Sequence, residues 1–430
     1  MSNEFKPVIL EPEDGSLSPP TALEVFPYGV TLNRFYISDG KTHDIVIGPY
    51  NVQDYKNERR FLNPIVGRYC NRIPSGEQHI SKDGIQAVIN PIFNESPTVC
   101  LHSGPNGLDR FAWTHVEDIA TAKLFTPSEI AKLKSETSSS ALFTYTSPAG
   151  TDFPGTIDFE VVWALTNPSR EFDTKTYERN LGSVYLIYRA KVRNEPEGDG
   201  KKIVTPLNLT HHWGFNLDAS YAAPLGPAPD VKEHKLYIKS ENILEGDKVL
   251  LPTGKLVATK GTRFDFTGPD STIGSRYEGG YDHFFMFPPS ETRQPSHVLL
   301  SGLADGSQNL VSAILESTEP TVKLSSDKSG IHLAFHTNQR GVQFYTGIGL
   351  DGTGGRKKIH GGSEDGRGYE RDGAAFLEFH APHAAYLHPF KQSEEEKALL
   401  GDDTLLTSDE LYNHWVRVDM SHIPNLAEQK

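Results

Sequence analysis

The sequence is poor in cysteine and in positive charge. Its 430 residues include only two cysteines. Because two cysteines, Cys70 and Cys100, are too few for a disulfide framework, we expect a reducing compartment and a cytoplasmic protein. Lysine and arginine total 42 against 56 acidic residues, which gives a formal net charge of −14. An acidic surface repels phosphate backbones and anionic membranes, so neither nucleic acid nor lipid is an expected partner.

Long apolar segments are also missing. No run is long enough to cross a bilayer. The first residues, MSNEFKPVILEPEDGS, contain no basic segment followed by an apolar one, so we predict no signal peptide. Glycine and proline, by contrast, are abundant at 38 and 29 residues. They favour many turns and short strands over long helices, and the sequence therefore predicts an all-β protein.

The alternation of apolar residues supports this prediction. In Ile157–Leu165 every second side chain is apolar, as a half-buried strand requires. We expect a loose, acidic and proline-rich lead-in over residues 1–22 and a single β domain over residues 23–430. Further strands are predicted at 184–192, 310–315, 331–336, 342–346 and 375–380, short helices at 126–134, 393–400 and 407–416, and long loops at 193–202 and 351–373.

The predicted strand at 375–380 and the segment LTHHWGFNL carry polar residues that suit acid–base chemistry. Glu378 lies in an otherwise apolar strand, where an unpaired carboxylate is costly and its pKa rises toward the range of a general base. His380 lies on the same face of the strand as Glu378. A structural ion pair is the alternative to a catalytic role for Glu378. In the segment LTHHWGFNL, His211 and His212 point to opposite faces, so one of them can face a cavity. Alternation alone leaves open which one does.

Three further segments carry candidate binding residues. Arg72 lies in the segment GRYCNRI, close to Gly67. Its guanidinium offers fixed, charged hydrogen-bond donors to a substrate with many oxygens. His102 lies on a glycine-rich loop. Asp282 is surrounded by aromatic residues, an arrangement that suits a sugar ring beside a hydroxyl-binding carboxylate. Each has an ordinary structural alternative when it is taken alone.

Together these segments resemble the aldose 1-epimerases, or galactose mutarotases. The similarity runs from about residue 28 to residue 390 through GRYCNRI, LHSGPNGLDRFAW, DFPGTIDFEVVWALT, LTHHWGFNL, GYDHFF, GVQFYTG and AFLEFHAPHAAYLHP. It implies a large twisted antiparallel β-sandwich with a few short helices. It also implies interconversion of α and β anomers of a free hexose such as glucose or galactose, without cofactor or metal, by a monomer or homodimer.

The resemblance also assigns roles to residues. It places the catalytic base at Glu378 and the catalytic acid at His212, with substrate-binding groups at Arg72 and its neighbour Asn71, and at His102 and Asp282. The sequence departs from the family pattern at His211 and His380, where the family usually has amides, and at Trp213. We treat these three residues as specificity neighbours.

Four alternatives to a free-sugar epimerase can be compared with the sequence. A glycosidase would use Glu378 and Asp282 as paired carboxylates. A hexose-6-phosphate 1-epimerase would need clustered basic groups such as Arg68, Arg72 and Arg110. A catalytically altered carbohydrate-binding relative would keep the fold without turnover. A zinc site at 380, 383 and 388 is disfavoured because prolines 382 and 389 prevent a helix that would align the histidines.

Overall fold

The computed structural model describes residues 3–13, 20–38, 40–169, 175, 177–193, 202–290, 293–303, 308–388 and 403–424. Four short α-helices occur in these residues: α1 (Asp54–Asn57), α2 (Pro127–Glu136), α3 (Leu300–Leu303) and α4 (Leu310–Glu316). The strands are, in chain order, β1 (Val8–Leu10), β2 (Thr21–Phe26), β3 (Thr31–Ser38), β4 (Thr42–Asp44), β5 (Ile65–Val66), β6 (Arg72–Pro74), β7 (Gln78–Lys82), β8 (Ile85–Ile89), β9 (Val99–Leu101), β10 (Thr114–Val116), β11 (Ser139–Ser147), β12 (Ile157–Leu165), β13 (Arg179–Val192), β14 (Val204–Pro206), β15 (Thr210–His211), β16 (Gly214–Phe215), β17 (Lys235–Ile238), β18 (Asn242–Gly246), β19 (Pro252–Ala258), β20 (Asp282–Met286), β21 (His297–Leu299), β22 (Val322–Ser325), β23 (Ile331–Thr337), β24 (Gly341–Tyr345), β25 (Ala375–His380), β26 (Leu405–Thr407) and β27 (Glu410–His422).

Two large antiparallel sheets organise the described chain. The first follows the order β10-β11-β12-β13-β27-β23-β22-β17, with β21 also paired to β27. The second follows β16-β25-β24-β20-β18-β19. A four-stranded sheet, β1 to β4, and the pairs β14–β26, β15–β5, β6–β9 and β7–β8 complete the set.

The core lies between the two large sheets. Phe379 of β25 stacks on Phe335 of β23 with ring centroids 5.4 Å apart. Phe335 also contacts Phe215 of β16 at 5.5 Å. Because each sheet buries one face against the other, the all-β antiparallel sandwich expected from the sequence is confirmed.

The second large sheet has two chemically different faces. In β25, Leu377 and Phe379 belong to the core. Successive side chains of a strand alternate between faces, so Glu378 and His380 lie on the opposite face. Glu378 pairs with Gln343 of β24. The sheet thus presents a row of polar side chains on the face that the core leaves free.

Most of the predicted strands are confirmed, with β12, β23, β24 and β25 within one residue of their expected bounds. The predicted helix at 126–134 is α2, which begins with the expected capping box of Thr126 and Glu129. The predicted strand at 310–315 is wrong, because these residues form α4. The side chain of Asn309 accepts hydrogen bonds from the first backbone amides of α4 and caps it.

The predicted helix at 407–416 is also wrong. Residues 410–422 form β27, the strand that β13 and β23 flank in the larger sheet. Its residues Tyr412, Val416, Val418 and Met420 enter the core. These core residues all lie at even-numbered positions, and a spacing of two is the period of a strand. Pairing along both edges of β27 outweighs the local helical signal. The other predicted C-terminal helix, 393–400, lies outside the described residues, as does nearly all of the loop 193–202.

Part of the N-terminal lead-in departs from expectation. Strand β1 pairs with β2, and Phe5 is fully buried against Phe26 and Tyr28. Residues 3–13 are therefore packed rather than loose. No helix among the described residues is both long and apolar enough to span a membrane.

The loop 351–373 has no strand, as expected, but it is anchored to the body of the fold. Arg356 is buried and donates to backbone carbonyls of Gly226, His360 and Gly368. Lys357 is also buried and pairs with Asp44 at 2.9 Å. Burial lowers the pKa of Lys357 to about 8, and Asp44 opposes that shift. Two buried cations thus fix this loop before the chain enters β25.

A buried ion pair connects α2 to the larger sheet and yields a stability prediction. Glu129 Oε1 accepts from Arg189 Nη2 and from the backbone amide of Leu310, each at 3.0 Å. Both side chains are almost fully buried. We expect Glu129→Ala to lower the free energy of unfolding by about 3–5 kcal/mol, because it leaves the charge of Arg189 unpaired in the interior.

Equilibrium urea denaturation would measure this change. Glu136→Ala is the matched control, since Glu136 lies at the exposed end of the same helix and forms a surface ion pair with Lys132. A surface pair of this kind contributes about 0–1 kcal/mol. Equal destabilisation by the two substitutions would contradict the assignment of Glu129 as a buried hub.

Candidate active site

Three separate strands bring a glutamate and two histidines together. Glu378 lies on β25, His212 directly follows β15, and His102 directly follows β9. One donor or acceptor atom from each of the three lies within 4.8 Å of the others. All three side chains are buried. The sequence separations are large, so only the assembled sandwich creates this group.

The closest contact in the group joins His212 to Glu378. His212 Nε2 lies 3.2 Å from Glu378 Oε1, and only 7% and 3% of the two side chains are exposed. We call these two residues the buried pair. Burial raises the pKa of Glu378 well above its ordinary value, and the negative charge of Asp282 adds to that rise. Burial likewise lowers the pKa of His212 to about 4.

His102 is held in one tautomer by the backbone. Its Nδ1 accepts a hydrogen bond from the amide of Asn71 at 3.1 Å, and its own amide donates to the Asn71 carbonyl. Since Nδ1 is the acceptor, the ring proton of neutral His102 lies on Nε2. Burial lowers the pKa of His102 well below its ordinary value, and His212 adds to that effect. His102 therefore presents a neutral N–H donor to the group.

Aromatic rings form the wall around the two histidines. The His212 ring lies 4.9 Å from Phe376 and 6.1 Å from Phe61. Phe61 also covers His102 at 4.6 Å. Three nearby residues, Phe61, Asn71 and His102, have positive φ angles of 53°, 60° and 51°. Such conformations are costly for residues other than glycine and cluster at functional sites.

A second, less buried group of charges lies beside the buried pair. Arg72 Nη2 is 3.4 Å from Asp282 Oδ2. The Nε and Nη2 atoms of Arg72 each donate to one oxygen of Glu95 at 2.8 Å. The exposed fractions of the side chains are 13% for Arg72, 18% for Asp282 and 33% for Glu95. We call these three residues the mouth cluster, because Arg72 contacts the other two and exposure increases from Arg72 to Glu95.

Gln343 connects the mouth cluster to the sheet. Its Nε2 donates to Asp282 Oδ1 at 2.6 Å. Among the residues that the structure describes, its own Oε1 is buried without a hydrogen-bond partner, as is Glu378 Oε2 on the neighbouring strand. Burial raises the pKa of Asp282, while Arg72 and Gln343 oppose that shift. The site thus contains buried polar atoms that a hydroxyl-rich ligand can satisfy.

The ligand atoms of His102, His212 and Glu378 lie close enough together to hold a metal ion. The hydrogen bonds of these residues, however, do not fit a metal site. A ligating imidazole nitrogen needs a free lone pair. Nε2 of His102 is protonated because Nδ1 accepts from the Asn71 amide. The direct contact between His212 and Glu378 also uses the atoms that an ion would need. The donor chemistry is that of proton exchange and hydroxyl binding.

The three residues proposed as specificity neighbours lie in different places. His211 packs between Trp163 and Trp213, at 5.2 and 5.0 Å, and neither of its ring nitrogens has a hydrogen-bond partner within the part of the chain that the structure describes. Trp213 belongs to the core. These two side chains therefore lie on the core side of the strand, and His212 lies on the site side. The question that alternation left open is answered by the two tryptophans.

His380 shares the face of Glu378, as alternation predicts. Its ring lies 4.7 Å from Phe284. Its Nδ1 lies 2.6 Å from the carbonyl of Ala381, so Nδ1 is protonated. The unprotonated Nε2 is buried and has no hydrogen-bond partner in the described ranges. Burial lowers the pKa of His380 to about 4. Arg68, by contrast, is turned away and donates to the carbonyls of Ser147 and Pro148.

Sequence reasoning missed Gln343, Glu95 and Phe61. The segment GVQFYTG was used only as part of the resemblance, although a glutamine in an apolar strand resembles the pattern that singled out Glu378. Glu95 lies in an irregular loop and Phe61 in an unusual backbone conformation. No local periodicity marks either residue.

The model of the aldose 1-epimerase family matches residues 19–190 and 188–380 of the chain. The chain belongs to the aldose 1-epimerase family. The resemblance read from the sequence is confirmed, and the protein is an isomerase that acts on carbohydrates. Galactose mutarotase of Rattus norvegicus is 27% identical to it over 337 residues, which are 77% of this chain and 76% of that protein. Aldose 1-epimerase of Escherichia coli (strain K12) is also 27% identical over 337 residues, 76% of this chain and 75% of that protein.

Solved structures agree with the fold of the epimerase. An aldose epimerase homologue from C. elegans superimposes with a TM-score of 0.66 at 20% identity, covering 97% of this chain and 99% of that one. Galactose 1-epimerase from Lactobacillus acidophilus NCFM gives a TM-score of 0.59 at 18% identity, with coverage of 97% and 98%. At these identities the likeness concerns the fold, whereas substrate and mechanism depend on the site.

Proposed function

We propose that this epimerase interconverts the α and β anomers of a free hexose such as glucose or galactose by acid–base ring opening. The observation that carries the proposal is the buried pair, with His212 Nε2 3.2 Å from Glu378 Oε1. Mutarotation needs one group that takes the proton of the C1 hydroxyl and one that gives a proton to the ring oxygen. A carboxylate and an imidazole in contact meet both needs.

The reaction starts from the form of the buried pair that has its single proton on His212 and none on Glu378. This is the minor form, because burial raises the pKa of Glu378 and lowers that of His212. Glu378 removes the proton from the C1 hydroxyl while His212 protonates the ring oxygen, and the C1–O5 bond breaks to give the open-chain aldehyde. The C1–C2 bond then rotates by half a turn. Glu378 returns its proton to the carbonyl oxygen as the C5 hydroxyl attacks C1 from the other face and gives its proton to His212. The pair ends with the protons it began with.

We propose that the surrounding groups hold the sugar. His102, as a fixed N–H donor beside His212, binds near the ring oxygen, and Asn71 sets its tautomer through the backbone. Arg72, Asp282 and Gln343 bind hydroxyls on the opposite edge of the ring. Correct positioning of the reacting atoms contributes to rate together with the proton transfers. His380 contributes a buried acceptor at its bare Nε2.

The basic groups favour a neutral sugar over a hexose 6-phosphate. Arg68 is occupied by backbone carbonyls, and the positive charge of Arg72 is compensated by two carboxylates, so Arg72 can donate to a neutral hydroxyl but offers no uncompensated charge to a phosphate. A phosphate site needs cationic donors that are available to the ligand. A glycosidase is less well supported, because Glu378 contacts the imidazole of His212, and the second carboxylate, Asp282, is engaged by Arg72 and Gln343. We also propose a reducing compartment such as the cytoplasm, in keeping with two free, buried cysteines.

Polarimetry tests the proposed function directly. We expect the purified protein to accelerate the decay of optical rotation in fresh α-D-glucose and α-D-galactose in proportion to its concentration. In parallel, p-nitrophenyl glycosides should release no sugar. No acceleration with any of a panel of free aldoses would refute the proposal, and turnover confined to a hexose 6-phosphate would transfer the function to that substrate class.

A further inference from the structure

The rim of the site contains a carboxylate that the proposed reaction does not use. Glu95 lies in the segment between β8 and β9, and it faces the guanidinium of Arg72. Nε and Nη2 of Arg72 donate to its two oxygens at equal distances of 2.8 Å. Such a bidentate contact fixes the plane of the guanidinium as well as its position.

The loop that carries Glu95 is itself held in place. Asn94 both accepts from and donates to the backbone of Leu101, at 2.8 and 3.0 Å. Leu101 immediately precedes His102, and in β9 it pairs with Arg72 of β6. Ser75 Oγ adds a bond to the carbonyl of Pro97. The loop, Arg72 and His102 therefore form one connected unit, with Glu95 as its most exposed charge.

We infer that Glu95 is a positioning residue that orients Arg72 toward the C3 and C4 hydroxyls of the bound sugar. This inference rests on the proposed function. The C1–O5 unit must lie at the buried pair, and in a pyranose ring C4 and C3 lie across from C1 and O5. Those hydroxyls therefore face the less buried mouth cluster. With Nε and Nη2 committed to Glu95, and Nη2 also 3.4 Å from Asp282 Oδ2, Arg72 is left with Nη1 for the sugar.

Glu95→Gln tests the inference because it keeps the shape of the side chain and removes its charge. Since a hydrogen bond to a charged group is stronger than a neutral one, we expect KM for glucose to rise about tenfold while kcat changes by less than about twofold. Glu95→Asp, which keeps the charge on a shorter side chain, should recover part of that loss. Glu77→Gln, at an exposed position of the neighbouring hairpin, is the matched control and should behave as wild type.

Two further measurements separate positioning from a general structural effect. A 3,4-dideoxyhexose lacks the hydroxyls in question, so Glu95→Gln should leave its KM nearly unchanged. In an Arg72→Lys background, which has no bidentate fork, Glu95→Gln should add little, because the two residues act as one unit. Additive effects, an unchanged KM for glucose, or a fall in kcat alone would overturn the inference.

Measurements on the wild-type protein distinguish failure of the proposed function from failure of the role of Glu95. If wild type accelerates no mutarotation, the proposed function fails. If wild type is active and the Glu95→Gln kinetics are unchanged for glucose, only the role of Glu95 fails. Thermal unfolding of each variant confirms that the kinetic comparison is made between folded proteins.

Discussion

Glu378→Gln is expected to lower kcat for mutarotation by about 10²–10⁴-fold, the range that a positioned general base contributes. The amide keeps the size of the carboxyl group but cannot accept the proton of the C1 hydroxyl. Glu378 is nearly fully buried, and its Oε2 has no hydrogen-bond partner among the described residues, so this oxygen is free to accept that proton. Initial rates of rotation decay at saturating sugar measure the effect, and the KM of the variant should stay within a few-fold of wild type.

The same substitution should stabilise the fold, so loss of activity is expected together with a higher Tm. Burial raises the pKa of Glu378 above its value in the unfolded chain. The folded protein therefore binds more protons than the unfolded one between those two pKa values, and the stability contribution of Glu378 falls as pH rises through that window. Gln carries no such penalty. We expect Tm of Glu378→Gln to exceed that of wild type at pH 8 by more than it does at pH 5.

Calorimetry at pH 5 and pH 8 would measure this difference in Tm between Glu378→Gln and wild type. Loss of activity together with a lower Tm at both values would mean that the substitution damages the fold, and the kinetic result would then say nothing about the base. Full activity in the folded variant would exclude Glu378 from proton transfer. A functional residue that costs stability is the expected sign of a site shaped for chemistry.

The sequence identifies this glutamate but cannot identify its surroundings. Glu378 stands out because a carboxylate interrupts an apolar, strictly alternating strand, and alternation also places His380 correctly on its face. The assignment of His212 rather than His211 depends instead on Trp163, a residue of another sheet. Long-range packing of this kind has no local signature, so only the resemblance favoured His212 before the fold was known.

The two misread segments fail for related reasons. Residues 310–315 are apolar and β-branched enough to suggest a strand, yet the Asn309 cap and the contact with α2 through Glu129 make them a helix. Residues 410–422 contain helix-favouring residues, yet pairing with β13 on one side and β23 on the other makes them a central strand. In both cases tertiary contacts outweigh intrinsic propensity. In the mouth cluster, Arg72 and Asp282 were predicted from the sequence, but Glu95 was not, because it reaches Arg72 from an irregular loop.

His212→Gln should also lower kcat by about 10²–10⁴-fold, because ring opening then lacks its proton donor. Its imidazole and the Glu378 carboxyl are in contact, so their titrations are coupled and belong to the pair. Catalysis requires one exchangeable proton on the pair. A second proton inactivates it at low pH, where the pKa of His212 lies at about 4, and loss of the first inactivates it at high pH.

The pH profile of kcat/KM therefore tests the pairing itself. Wild type should show a plateau across neutral pH, because moving the shared proton between Glu378 and His212 changes no net charge. Its alkaline limb reflects the raised pKa of Glu378, and activity falls as pH rises through that value. In His212→Gln the residual activity should follow Glu378 alone and increase with pH, since only the base remains. His79→Gln, whose side chain is 79% exposed, is the control for loss of a histidine. If His212→Gln kept the wild-type plateau, His212 would not be the proton donor, and the fixed N–H of His102 would be the group to examine next.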